Sequence, residues 1–150
     1  MNQYISITSF CIFIIILIAA TIKDITIMYV PISFSIIGFS IRFAELCYTN
    51  MDNIKYYISV TLISAFCLFF FGAYIGNLGG ADCLIGTLCT FYMGTQGIIA
   101  LMIAFILAIP YTIWMKIKSK EKEYPFVPFI LVGVSLVLIK SIILKETVLF

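Results

Sequence analysis

Gly76-Asn77-Leu78-Gly79-Gly80-Ala81-Asp82 is a polar, glycine-rich interruption followed at once by more apolar chain, and the rest of the sequence is read outward from it. A carboxylate beside so apolar a run is costly, since insertion-based scales charge roughly 2.5 to 3.5 kcal/mol for an Asp at the centre of a membrane helix. The aspartates of the chain are Asp24, Asp52 and Asp82, of which Asp24 and Asp82 adjoin apolar spans. A charge kept at that cost points to function, so these two acids are the first candidates for whatever chemistry the chain performs.

Composition fixes the solvent. Of 150 residues, 63% are hydrophobic and only 11% charged, and the mean hydropathy is +1.19. A soluble domain holds about 45–50% apolar residues, so an all-α integral membrane protein is expected. A spanning helix takes about 20 residues, so the length accommodates about six spans in a single membrane-embedded domain, 1–150, with no room for a soluble one. The net charge of +2 is too small to argue for nucleic acid, and the basic residues read better as topology signals. Five cysteines without a CxxC pair, and no histidine, remove the usual zinc sites, the Cys-His nucleophile and the Ser-His-Asp triad. No metal and no organic cofactor are therefore expected, and most cysteines read as small apolar packers. The start, Met1-Asn2-Gln3-Tyr4, carries no basic side chain and no small-x-small cleavage site follows, so the first span reads as retained.

The first span is expected over about Ile5 to Ile22, stopping at Lys23-Asp24 near the membrane surface. Pro31 suits the first turn of a second span, which runs to about Leu46 and ends among Arg42 and Glu45. Residues Cys47 to Lys55 read as a polar loop, and Tyr56 to about Tyr74 as a third span ending at the glycine-rich stretch. Beyond it, a break at Gly94-Thr95-Gln96-Gly97 divides the apolar run from Cys83 to Met115 into a short fourth helix and a fifth span, Ile98 to Met115, with a kink at Pro110. Counted from Asp82 to Met93, the fourth helix rises about 18 Å, against a hydrocarbon thickness of about 30 Å. One of its ends then lies below the membrane surface, and Asp82 is assigned to it, beside a water-filled cavity. A sixth span covers about Pro128 to Ile143. The dense cluster Lys116, Lys118, Lys120 and Lys122 belongs on the cytoplasmic side, which sets the amino terminus outside and Asp24 and Asp82 toward the cytoplasm.

Two carboxylates held close together cannot both ionise cheaply, so the pair shares a proton and titrates as a unit. Such a pair can activate a water, present it to an amide carbonyl and protonate the departing nitrogen. Gly79, Gly80 and Ala81 would let a substrate backbone approach Asp82, and Asn77 would add polar support. On charge placement alone a proton relay, in a small transporter or channel subunit, fits the same two acids.

Three stretches in order resemble the type IV prepilin peptidase family, membrane aspartyl proteases that also include the preflagellin peptidases. Asp24-Ile25-Thr26-Ile27-Met28-Tyr29-Val30-Pro31 resembles the family's first-aspartate segment, in which a proline follows seven residues after the acid. Gly79-Gly80-Ala81-Asp82 resembles its GxGD motif, with Ala for the second Gly. Tyr124-Pro125-Phe126-Val127-Pro128-Phe129, with its bracketing Pro125 and Pro128, resembles the segment that opens the last span. The match covers roughly Ala19 to Gly133. It implies that Asp24 and Asp82 are catalytic and that prepilins or pseudopilins are cut on the cytoplasmic side, after a glycine preceding their apolar helix. It further implies a bacterial or archaeal cell membrane. Ile32 stands where the family often has Asn, and Leu84 where it often has Lys. The cytoplasmic CxxC insert of the longer, methylating members has no counterpart, so a peptidase-only form without methyltransferase activity is expected.

Overall fold

A glycine pair before an apolar run, followed by another glycine fourteen positions later, is enough to isolate one short helix, and that helix organises the bundle. The computed structural model describes residues 2–49, 53–75, 79–118 and 125–144. All their regular structure is helical: α1 (Asn2–Ile27), α2 (Ile32–Thr49), α3 (Ile54–Ile75), α4 (Gly80–Met93), α5 (Thr95–Lys118) and α6 (Val127–Leu144). Asn77, Tyr124 and the lysines 120 and 122 lie outside the described residues.

Helix α4 is the axis. It packs against each of the other five helices. Asp82, Cys83 and every residue from Ile85 to Met93 are buried. A helix enclosed in this way must satisfy its polar side chains internally, because an unpaired polar group in apolar surroundings costs several kcal/mol. Thr87 Oγ1 donates to the Cys83 carbonyl at 2.7 Å, Thr90 Oγ1 to the Thr87 carbonyl at 2.8 Å, and Tyr92 Oη to the Gly38 carbonyl at 3.1 Å. The Ser64 and Thr90 hydroxyls lie 2.6 Å apart, tying α3 to α4.

Where lipid surrounds a bundle, helices associate by close packing rather than by escape from water, which favours small residues at the contacts. A Cβ on Gly97 would fall 2.7 Å from the Thr90 Cα, and one on Gly133 would run into the Ala100 carbonyl oxygen. These glycines let α5 lie directly on α4, and α6 on α5. Gly94 makes the reversal between α4 and α5 alone: at φ 58° it donates its N–H to the Thr90 carbonyl at 2.8 Å, and α5 begins at the next residue. A residue with a Cβ is strained in that left-handed conformation.

The outward faces are apolar. Ile15, Leu62, Phe66, Ile106 and Ile142 are each more than 60% exposed. A water-soluble monomer seldom shows contiguous apolar patches above a few hundred Å². Ile7–Ile27, Ile32–Thr49 and Thr95–Trp114 are long and apolar enough to cross a membrane, and Ile54–Phe70 and Val127–Ile143 are shorter apolar stretches.

Several expected boundaries shift. The first helix does not stop at Ile22 but carries Lys23 and Asp24 within it and ends at Ile27. Met28, at φ 49°, then leaves the helix while its N–H reaches back to the Asp24 carbonyl at 3.1 Å. Pro31 precedes α2 rather than standing in its first turn, its carbonyl accepting from Phe34 N–H at 3.1 Å. The expected break over Gly94-Thr95-Gln96-Gly97 contracts to Gly94, and α4 gains a turn's beginning at Gly80 to reach 14 residues. The α5 helix continues through Pro110. Cys83 and Cys89 are buried packers, as expected, but Cys11, Cys47 and Cys67 face outward.

The Gly97 contact yields a prediction. Gly97→Ala should destabilise the bundle by roughly 1–3 kcal/mol, the usual cost of overpacking. Gly80→Ala, where an added Cβ meets nothing within 4 Å, should leave the thermal unfolding curve in detergent unchanged.

Candidate active site

Asp24 sits on the inward stripe of α1. Leu17, Ala20, Thr21 and Asp24 recur at helical spacing and are all buried, whereas Lys23 next door is exposed. Only 4% of Asp24 is accessible, so its carboxylate is not the interfacial charge that its position beside Lys23 implied. Its partner is the start of α6. Val127 N–H donates to Asp24 Oδ2 at 2.9 Å across 103 residues of sequence.

The proline-bracketed segment explains why that donor is there. Pro125 and Pro128 have no N–H, and Phe129 and Ile130 donate theirs to the Phe126 carbonyl at 3.0 and 3.4 Å. The Val127 N–H belongs to the first turn of α6, which lacks an intrahelical acceptor, and Asp24 supplies one from another helix. Phe126 and Phe129 anchor the segment through ring contacts to Phe105 at 4.9 Å and Tyr111 at 5.3 Å. Phe126 and Val127 are buried, and Pro125 and Pro128 half-buried.

Asp82 stands in the first turn of α4, 8% accessible, where the helix dipole favours a carboxylate. Gly79 is the N-cap residue in extended conformation, and its carbonyl accepts from the Asp82 and Cys83 N–H groups at 3.1 and 3.2 Å. A Cβ on Gly79 would lie 3.3 Å from Asp82 Oδ2, so any side chain there would lie against the carboxylate. Gly80 is exposed and Ala81 half-buried, which leaves the backbone beside Asp82 open on one side. Asn77 lies outside the described residues.

Three contacts put the two acids toward one end of the bundle, the first being the Val127–Asp24 hydrogen bond. Phe13 stacks on Tyr92 with ring centroids 4.5 Å apart, which sets the upper part of α1 beside the carboxyl end of α4. From there Asp24 lies about 16 Å along α1 and Asp82 about 15 Å back along α4, so the carboxylates are level. The third contact comes through α6: a Cβ on Gly86 would be 3.8 Å from Ile130 Cδ1, one turn beyond each of Asp82 and Val127. Asp24 and Asp82 thus flank the amino end of α6, which touches both α1 and α4. No group of three or more His, Cys, Asp or Glu able to hold a metal occurs among the described residues.

Compared with family models, with curated proteins and with solved structures, the chain matches none. The assignment of the site therefore rests on its own geometry.

A second charged cluster was not foreseen. Arg42 and Glu45, expected where the second span ends, are 3% and 5% accessible and form an ion pair at 2.8 Å. Arg42 Nε and Nη2 donate to the Phe91 and Tyr92 carbonyls at 3.4 and 3.3 Å, and its guanidinium lies 4.9 Å from the Tyr57 ring centroid and 5.3 Å from that of Tyr92. It caps the carboxyl end of α4, where the dipole favours a cation. The one available signal was their spacing of three, which places Arg42 and Glu45 on the same helix face as Gly38 and Ser35.

Two expectations follow. Asp24→Ala should remove the acceptor for Val127 and cost about 1 kcal/mol, as loss of a cap does, whereas Asp24→Asn keeps an acceptor oxygen and should unfold at nearly the wild-type temperature. Arg42→Met should cost about 3–5 kcal/mol by leaving Glu45 buried and unpaired, a loss that the double replacement Arg42→Met, Glu45→Met should largely recover in the same melting experiment.

Proposed function

We propose that this chain is an aspartic endopeptidase of prepilin-peptidase type. It crosses the cytoplasmic membrane of a bacterial or archaeal cell with a bundle of about six spans, the amino terminus outside, and cuts the leader from type IV prepilins or pseudopilins. The observation that carries the reading is the Val127–Asp24 hydrogen bond. It joins the first-aspartate segment to the proline-bracketed segment, while Asp82 stands in the first turn of α4, which packs against α6. That two of the three stretches picked out by resemblance meet in one hydrogen bond, across most of the chain, supports the reading.

The chemistry is general acid and base catalysis without a covalent intermediate. One carboxylate of the pair takes a proton from a water as its oxygen attacks the scissile carbonyl; the other carboxyl gives its proton to the leaving nitrogen. The proton belongs to the pair rather than to either residue. Val127 N–H holds one oxygen of Asp24, fixing the plane in which that carboxylate meets the water. Gly79, Gly80 and Ala81 leave space for an extended substrate backbone beside Asp82. The substrate's apolar helix lies in lipid against the enzyme's spans, and its small residue at the cut permits close approach. Partners are the substrate and membrane lipid, not nucleic acid, and the reaction needs neither metal nor cofactor; methyl transfer is not part of it.

The test is cleavage of a co-expressed prepilin, followed by a gel shift. Asp24→Asn and Asp82→Asn should each lower the rate by at least about 10²-fold, the contribution of one acid–base group, while both proteins remain folded in the membrane. EDTA should leave the wild-type rate unchanged. Wild-type cleavage by either variant rules out the paired acids. Proton flux in liposomes without processing of any pilin-like peptide supports the proton-relay alternative instead.

A further inference from the structure

The aspartate end of the bundle is not flat, because α5 outruns its neighbours there. A Cβ on Gly133 would meet the Ala100 carbonyl and lie 3.4 Å from the Ala104 nitrogen, and Phe126 lies against Phe105, so α6 runs antiparallel to α5. Counting back from Gly133, Val127 is level with about Ala108, and so is Asp24 through their hydrogen bond. From that level α1 continues only to Ile27, about 5 Å, whereas α5 continues to Lys118, about 15 Å. Trp114 stands about 9 Å past the acid.

The outer surface of this uneven end is apolar throughout. Along α5 the exposed residues Met102, Ile106, Ile109, Ile113 and Ile117 recur at helical spacing, so the apolar outer stripe of mid-bundle continues into the last turn. The first lysines of that helix, Lys116 and Lys118, flank Ile117 in sequence. The connection from α1 to α2 has the same apolar character but no such charges. Ile25, Ile27, Met28, Tyr29 and Ile32 are all exposed, and no charged residue occurs between Asp24 and Arg42. A short turn in water or among head groups ordinarily carries polar or basic side chains. This one instead prolongs the exposed stripe Ile15, Ile18, Ile22 and Ile25 of α1. The Thr26 hydroxyl turns back to the Ile22 carbonyl at 2.8 Å, which satisfies it without solvent, and the exposed Lys23 has a stem long enough to snorkel outward.

We infer that the α1–α2 turn is a lipid-binding surface that lies among the acyl chains of one leaflet. The head groups of that leaflet stand at Trp114 and the lysines that follow it, and Asp24 lies about 9 Å beneath them. This replaces the membrane-surface position expected for the turn, and it stands whether or not the chain cleaves prepilins.

The chain holds a single tryptophan, so depth can be read from its fluorescence. The full chain is reconstituted in phosphatidylcholine vesicles containing lipid brominated either near the glycerol or near the acyl terminus, with circular dichroism as the check on folding. Trp114 should be quenched more by the first lipid than by the second. In a Trp114→Phe background, Ile32→Trp puts the probe at the start of α2 and Ile25→Trp puts it beside Asp24, both at exposed positions. Both probes should reverse that order and lose most of the sensitivity that Trp114 has to iodide supplied on both sides of the vesicle. The two sit on different helices, so either one that folds decides the matter. A lipid order matching that of Trp114, or iodide quenching as strong, overturns the inference. So does weak quenching by both lipids, which would mean that protein rather than acyl chain covers the turn.

Discussion

A helix that ends inside an apolar bundle has backbone carbonyls that solvent cannot reach, and this constraint governs the carboxyl end of α4. Its 14 residues rise about 21 Å, short of the roughly 30 Å of hydrocarbon in a bilayer. The rest of the molecule supplies what the solvent would have supplied. At the amino end the Gly79 carbonyl accepts the first intrahelical bonds from Asp82 and Cys83 and the glycines themselves are exposed, whereas at the other end Arg42 reaches from α2 to the last carbonyls. A buried arginine is tolerable there because its charge is spread over Glu45, two carbonyls and the faces of Tyr57 and Tyr92. Breaking such a cluster is expensive, although forming it gives little net stability compared with an apolar replacement.

The opposite end of the bundle repeats the arrangement with the signs exchanged. There the buried backbone donor is Val127 N–H, and the group brought to it is the carboxylate of Asp24. Structural and catalytic readings of Asp24 are therefore not rivals. The bond that seats α6 against α1 also orients the acid, so under the proposed function one contact would serve both folding and chemistry. Asp82 is carried by the first turn of α4, itself buried, with the exposed Gly79 and Gly80 just before it.

Much of this was legible from residue type and order. Six apolar runs and the short fourth helix, with Asp82 near its start, all follow from hydropathy and from the expense of charge. The missed features share one cause. Sequence patterning reports the nature of a side chain but not its direction, and Lys23 and Asp24, adjacent in the chain, point to opposite surroundings. The same limit hid Arg42 and Glu45, which resemble an ordinary charged helix end until α4 is seen packed beside them. Gly94 was read as part of a four-residue break because nothing local indicates that one left-handed residue can complete the reversal; Tyr56 and Tyr57 crowding it are far away in sequence. The bond from Asp24 to Val127 spans 103 residues and has no local signature beyond the two prolines that strip neighbouring donors away.

The single-residue reversal at Gly94 bears on biosynthesis. An apolar segment as short as α4, with an acid in its first turn, is a poor candidate to partition into a bilayer on its own. Because α5 starts at Thr95, the ribosome delivers both helices with no intervening slack. The two form one hairpin, and its tip is the place where Arg42 of α2 meets the carboxyl end of α4.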